Sequence, residues 1–85
     1  MEKIERIISI FDKKNGGLLS EINIDNIPLP VLKDIFMPPD DDHLMIDPQI
    51  IKKKHIKSLI PYLEKSMVFD FKSFVYSVDC FKIDD

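Results

Sequence analysis

Hydrophobic and polar side chains alternate in the first part of the chain, which predicts strands. In residues 5–12, Ile8 and Ile10 fall on one face of an extended chain, and Ile7 and Phe11 fall on the other. β-Branched and aromatic residues are enriched in strands because they pack well on a pleated surface. We therefore predict a first strand here.

A second strand is predicted over residues 18–25. Its inward face consists of Leu18, Ser20, Ile22 and Ile24, whereas the other face is mostly polar. This alternation is typical of a sheet that is buried on one side only. Between the two strands, Asn15 and Gly16 can adopt the positive φ angles that a tight turn needs. The pattern thus predicts a hairpin.

Prolines frame the first of two predicted helices. Pro28 and Pro30 end the second strand, and proline suits the first turn of a helix. The apolar stripe of a short helix over residues 30–36 is formed by Val31, Leu32, Ile35 and Phe36. Pro38 and Pro39 should stop it.

The second predicted helix starts at Asp47 and Pro48, which look like an N-cap followed by proline at the first helical position. Its apolar stripe consists of Ile51, His55, Ile56, Leu59 and Ile60. Pro61 should end or kink this helix, because an interior proline costs about 3 kcal/mol.

Aromatic and β-branched residues crowd the last segment, residues 68–83, and predict a strand near residues 73–82. We expect it to pair antiparallel with the hairpin. The predicted fold class is α+β: a three-stranded antiparallel sheet with two helices on one face, in the order β-β-α-α-β.

Composition limits the functional classes. The chain has 85 residues, 45% of them hydrophobic and 32% charged, which indicates one small folded domain over residues 1–85. The formal net charge of −3 argues against broad nucleic-acid binding. Cys80 is the only cysteine, so no internal disulfide can form. We expect a cytoplasmic protein, because the charged N-terminus lacks an apolar stretch behind it.

Three carboxylates stand together in the run Asp40-Asp41-Asp42, directly before His43. A calcium loop counted from Asp40 would need glycine at its sixth position and glutamate at its twelfth. Met45 and Ile51 stand there. Asp42, His43 and Asp47 offer no second ligand cluster for a transition metal, so we predict neither metal nor cofactor. One interpretation is a solvated loop whose aspartates cap the second helix.

No arrangement of residues predicts catalysis. Cys80 is in phase with Tyr76 and Val78, as expected for a core residue, and not for a nucleophile served by His43 or His55. Four lysines within residues 52–57 lack interleaved aromatic residues and indicate a solvated helix face. We therefore expect a protein without enzymatic activity.

The remaining interpretation of the acidic run is a partner-binding surface. It would consist of Asp40, Asp41, Asp42, His43 and Asp47. Concentrated charge of one sign can orient a basic partner during encounter.

Several short motifs resemble a known group of proteins. These are Ile-x-x-Ile-Phe-Asp at 7–12, Asn-Gly-Gly at 15–17, the Pro-Leu-rich stretch 29–36, Pro-Asp-Asp-Asp at 39–42 and the aromatic segment 69–76. The chain resembles a family of small bacterial proteins of unassigned function. Some members look like immunity proteins of contact-dependent growth inhibition and related toxin systems.

The resemblance implies an antitoxin that binds one cognate toxin domain, often a nuclease, and neutralises it. It carries over no catalytic residue. A tyrosine usual after the acidic run is missing here, where Met45, Ile46 and Asp47 stand. The alternative is a regulatory or structural interaction module for an endogenous partner. We expect a monomer, or a weak homodimer that pairs through the aromatic C-terminal strand.

Overall fold

An antiparallel hairpin opens the fold, as the Asn-Gly turn predicted. The computed structural model describes residues 3–64 and 67–83. Strand β1 covers Lys3–Asp12 and strand β2 covers Leu18–Asn23. In the turn, the Asp12 N–H donates to the Gly17 carbonyl at 2.8 Å, and Gly16 has a φ of 75°. Glycine suits this position because positive φ angles cost it nothing.

The hairpin contains a register shift that corrects one detail of the prediction. Ile8 pairs with Ile22 and Ile10 with Ser20, but Phe11 pairs with Leu18. Leu18 lies beyond this register shift, and 52% of its surface is exposed. The prediction that Leu18 points inward with Ile22 is therefore wrong.

Within the described residues, the sheet has four strands in the order β2-β1-β4-β3, whereas the sequence predicted three. Strand β4 spans Phe74–Ile83, close to the predicted bounds, and pairs with β1 over the whole length of both strands. The additional strand, β3, has only two residues, Gln49–Ile50, which pair with Val78 and Ser77. Two residues are too few to produce a periodic pattern, so β3 could not be predicted from the sequence.

Helix α1 covers Leu29–Phe36 and helix α2 covers Lys53–Leu59, followed by a 3₁₀ turn at Ile60–Tyr62. Because β3 lies between the helices, the order along the chain is β-β-α-β-α-β. Helix α2 begins at Lys53 with Lys52 as its N-cap, so the predicted cap at Asp47 is wrong. Asp47 and Pro48 instead lead into β3.

Both helices pack on the same face of the sheet. Leu32 of α1 and Leu59 of α2 are fully buried in a cluster that includes Ile8 of β1 and Val78 of β4. The remaining buried members are Ile24, Ile27, Met45, Ile51 and Tyr76. Among the described residues, neither helix has the length and apolarity to cross a membrane.

The homodimer prediction assumed that the C-terminal strand is an outer strand of the sheet, but it is not. Strand β4 lies between β1 and β3, and the outer strands are β2 and β3. Strand β3 pairs with only Ser77 and Val78 of β4, so homodimerisation through the rest of this side of β4 stays a prediction. The oligomeric state itself stays a prediction.

Candidate functional site

The predicted partner-binding residues lie in one loop between α1 and β3, residues 37–48, which we call the acidic loop. Asp40, Asp41, His43 and Asp47 are exposed, and Asp42 is partly buried. The structure thus brings all five together on one segment of the surface. It does not give all of them the same surroundings.

Asp42 organises the acidic loop from inside. Its carboxylate accepts hydrogen bonds from the Ile46 N–H at 2.8 Å and the Asp47 N–H at 3.2 Å. Its own N–H donates to the Pro39 carbonyl at 2.9 Å, and its carbonyl accepts from the Met45 N–H at 3.0 Å. Aspartate often closes turns in this way. Asp42 therefore shapes the loop, and the aspartates do not cap α2.

Two further contacts hold the acidic loop against the sheet. Met45 is 1% exposed and belongs to the hydrophobic core, although its φ of 50° is uncommon for a residue other than glycine. Arg6 of β1, the only arginine in the chain, donates from its guanidinium to the Leu44 carbonyl. The loop is thus anchored at adjacent residues by apolar burial and by a charge-assisted hydrogen bond.

Apolar side chains stand among the exposed carboxylates of the acidic loop. Met37 is 81% exposed, Leu44 39% and Ile46 49%. These three residues were not among the predicted partner-binding residues. No periodic pattern marks them, because Met45 closes a turn in the left-handed conformation and the residues around it do not form a regular strand or helix.

Cys80 lies on the same side of the sheet as Arg6, its partner in the β1–β4 pairing. The thiol is partly buried. Burial raises its pKa, and the nearby Asp42 and Asp25 raise it further, against an opposing effect of Arg6. A raised pKa leaves little thiolate near neutral pH, which does not suit a nucleophile.

A second polar cluster, formed by Ser9, Ser77 and Asp79, joins β1 to β4. Ser9 and Ser77, buried on neighbouring strands, both donate to the Asp79 carboxylate, at 2.5 and 3.0 Å. Within residues 3–64 and 67–83, no group of three histidine, cysteine, aspartate or glutamate side chains could hold a metal ion.

His55 has a structural role at the start of α2. Its Nδ1 accepts a hydrogen bond from the Lys52 N–H at 2.9 Å, and its ring lies 4.5 Å from that of Phe36, centroid to centroid. The ring is therefore neutral, with its proton on Nε2. Burial lowers the pKa of His55 below its ordinary value of 6.5, and Lys54 and Lys52 lower it further.

We expect His55 to make the protein less stable as the pH falls. Because its pKa is lower in the folded state, the unfolded chain binds more protons below about pH 6.5. Stability should therefore decrease from pH 6.5 down through the folded-state pKa. Urea denaturation between pH 8 and pH 5 measures this slope.

The variant His55→Gln should flatten the slope and lower the free energy of unfolding at pH 7.5 by about 1 kcal/mol, through loss of the contact at the N-cap. The exposed His43 provides the matched control for stability, and His43→Gln should leave the free energy of unfolding at pH 7.5 unchanged. Equal slopes for wild type and His55→Gln would contradict this role.

A scan against protein families found one match, to a domain of unknown function, DUF7683, over residues 5–79. Searches of curated proteins and of solved structures found nothing similar to the chain. The matched range contains the acidic loop, both helices and most of the β1–β4 ladder. Because the match spans most of the sequence, this protein belongs to the DUF7683 family.

Proposed function

We propose that this protein is a non-enzymatic binding protein whose acidic loop engages a basic macromolecular partner. Specifically, we propose an immunity protein of the cytoplasm, which binds and neutralises a cognate bacterial toxin domain such as a nuclease. The matched family has no known function, so the proposal is supported by the physical chemistry of the site alone.

The observation that carries the proposal is the composition of the acidic loop surface. Three large apolar side chains, Met37, Leu44 and Ile46, are exposed beside the exposed carboxylates. Protein interfaces commonly have an apolar centre within a polar rim. The apolar groups supply affinity by leaving water, and the carboxylates supply orientation and selectivity.

The rigidity of the loop supports the same proposal. Met45, Arg6 and Asp42 hold the loop backbone through burial and hydrogen bonds. A surface that is ordered before it binds avoids part of the entropy cost of association. An unanchored loop with the same side chains would bind more weakly.

A nuclease fits the charge of the loop. Enzymes that bind nucleic acid present basic surfaces to phosphate groups. The exposed carboxylates of Asp40, Asp41 and Asp47 can occupy such a surface in place of phosphate, and can steer the encounter over a distance of about 10 Å at moderate salt.

The alternative is a regulatory or structural module that binds an endogenous partner through the same loop. The exposed carboxylates and apolar side chains of the loop suit such a partner equally well. Sequencing the protein that co-purifies with this chain from its native host distinguishes the two: a toxin domain supports immunity, and a housekeeping protein supports the alternative.

We expect the double change Asp40→Lys and Asp41→Lys to weaken binding of that co-purified protein at least tenfold, mainly by slowing association. Both side chains are exposed, so the free energy of unfolding should stay within about 0.5 kcal/mol. Biolayer interferometry at low and high salt measures binding, and urea denaturation measures stability.

Two comparisons make this test specific. The variant Glu21→Lys with Asp34→Lys changes the net charge equally at exposed positions outside the loop, and should bind almost as wild type. Asp42→Lys should lower stability as well as affinity, because it removes the acceptor for two backbone N–H groups. Unchanged binding after the Asp40 and Asp41 reversal would remove the acidic loop from the interface.

A further inference from the structure

Helix α2 has a second, partly exposed face beside the one that is buried in the core. His55 and Leu59 face inward and are buried, whereas Lys53, Ile56 and Lys57 recur at helical spacing on another side. Residues three and four apart lie next to one another on a helix surface. Ile60, at the following position of this row, is 55% exposed.

A groove of about 560 Å³ runs between this face of α2 and the segment that leads to β4. We call it the lysine groove and define it by Lys53, Ile56, Lys57, Ile60, Val68 and Phe71. Its lining is mostly apolar, and Val68 at its lip is 80% exposed. Its size is within the roughly 300–1,000 Å³ of typical binding pockets.

The surroundings of the lysine groove are basic. An adjoining concavity shares Lys53 and Phe71 with it and adds Lys13 and Lys52. The Lys13 ammonium donates to the Phe71 carbonyl at 3.2 Å, which places the β1–β2 turn beside the groove. The lysines of the groove are opposite in charge to the carboxylates of the acidic loop, and both surfaces also expose apolar side chains.

The acidic loop and the lysine groove lie at opposite ends of the sheet. Arg6, which anchors the loop, pairs with Cys80, whereas Asp12, next to Lys13, pairs with Phe74. Asp12 follows Arg6 by six residue steps along β1, or about 20 Å at 3.3 to 3.4 Å per residue. The two surfaces therefore cannot meet within one molecule.

We propose that the acidic loop of one copy of this chain binds in the lysine groove of a second copy. Asp40, Asp41 and Asp47 then face Lys53 and Lys57 across the contact. The exposed side chains of Met37, Leu44 and Ile46 enter the apolar part of the groove. Charge and apolar surface match on both sides of this contact.

The contact joins two different surfaces, so it is heterologous and can repeat from copy to copy. A single loop in a single groove is a small interface, and interfaces below about 1,200 Å² are typically weak and transient. Self-association would cover the acidic loop until a tighter partner displaces it. This inference goes beyond the proposed function and does not depend on it.

Two double variants test the contact. The loop variant carries Asp40→Lys and Asp41→Lys, and the groove variant carries Lys53→Glu and Lys57→Glu. Sedimentation velocity at concentrations up to about 1 mM, where binding of only about −4 kcal/mol becomes visible, gives the weight-average mass at low and high salt. Thermal denaturation checks that each variant is folded.

We expect the mass of the wild-type protein to rise with concentration at low salt and to fall again at high salt, because salt screens the charges. Each variant alone should associate at least tenfold more weakly, since both of its surfaces then carry the same sign. An equimolar mixture of the two variants should associate again, because each then offers the complement of the other.

A wild-type protein that stays monomeric at low salt overturns the inference. So does association that persists in the folded groove variant alone, which would point to another surface such as the edge of β2. The groove variant should still bind the co-purified partner like wild type. A groove variant that is monomeric and still binds the partner supports self-association through the groove. The Asp40 and Asp41 reversal tests partner binding through the acidic loop separately.

Discussion

Replacing Tyr76 with alanine is expected to lower the free energy of unfolding by about 3–5 kcal/mol, as for other large buried aromatic residues. Native proteins have a total stability of about 5–15 kcal/mol, so this change removes a large share of it. We expect no single change on the exposed surface to approach this effect.

Tyr76 holds together several parts of the chain. It is 2% exposed, and its ring centroid lies 4.8 Å from that of Phe69 and 5.4 Å from that of Phe71. Its hydroxyl accepts a hydrogen bond from the Asp70 N–H at 2.9 Å, and its carbonyl accepts one from the Ile51 N–H at 2.9 Å. Alanine would leave a cavity beneath the segment that precedes β4.

Two other tyrosine variants separate the contributions. Tyr76→Phe keeps the ring and loses the hydroxyl, so it should cost about 1 kcal/mol. Tyr62 is 37% exposed, and Tyr62→Ala should cost less than Tyr76→Ala by at least about 2 kcal/mol. Urea denaturation followed by far-UV circular dichroism gives all three values. Equal losses for the two alanine variants would contradict the central role of Tyr76.

The elements that the sequence predicted well are those with a strong local signal. Gly16 adopts the predicted positive φ, although Asn15 does not, and α1 ends just before the two prolines. The last strand begins within one residue of its predicted start. Turn chemistry, proline and residue type determine such features almost independently of the rest of the fold.

The elements that the sequence missed depend on contacts between distant residues. Strand β3 exists because Gln49 and Ile50 meet Val78 and Ser77 of β4, almost thirty residues away. Without that ladder, Asp47 and Pro48 look like a helix start. Leu18 was misplaced for a related reason, since a bulge shifts its register relative to Phe11. Local patterns contain no information on such pairings.

The acidic loop shows the same division. The run of aspartates identified the segment, but all carboxylates look alike in a sequence. Only the structure distinguishes Asp42 from the exposed Asp40 and Asp41. The Asp42 carboxylate accepts hydrogen bonds from two backbone N–H groups. A charge reversal at Asp42 would therefore perturb the loop itself, which makes Asp40 and Asp41 the better pair for a binding test.

The variant Met45→Ala is expected to destabilise the protein by about 2–5 kcal/mol and to release the acidic loop at the same time. Met45 is 1% exposed and packs in the core cluster with Leu32 and Leu59. Its neighbours Leu44 and Ile46 are exposed, so the buried side chain is the point at which the loop is tied to the domain. Truncation to alanine removes most of that apolar contact.

Met37 is a close internal control for this change. It is also a methionine of the acidic loop and has the same φ of 50°, but 81% of its surface is exposed. Any effect of alanine on backbone strain should therefore be similar at the two positions. The difference between Met45→Ala and Met37→Ala measures burial, and we expect Met37→Ala to change stability by less than about 0.5 kcal/mol.

Binding should respond differently from stability in these two variants. Met37→Ala should weaken binding of the co-purified partner although the domain is unchanged, because the side chain itself belongs to the proposed contact. Met45→Ala should weaken binding by loosening the loop. The Ile46 and Asp47 N–H groups donate hydrogen bonds to the Asp42 carboxylate, and their hydrogen exchange should become faster. Met45→Ala could instead lower stability and leave both exchange and binding unchanged. The order of the acidic loop would then not depend on its anchor in the core, and anchoring would not prepare the loop for binding.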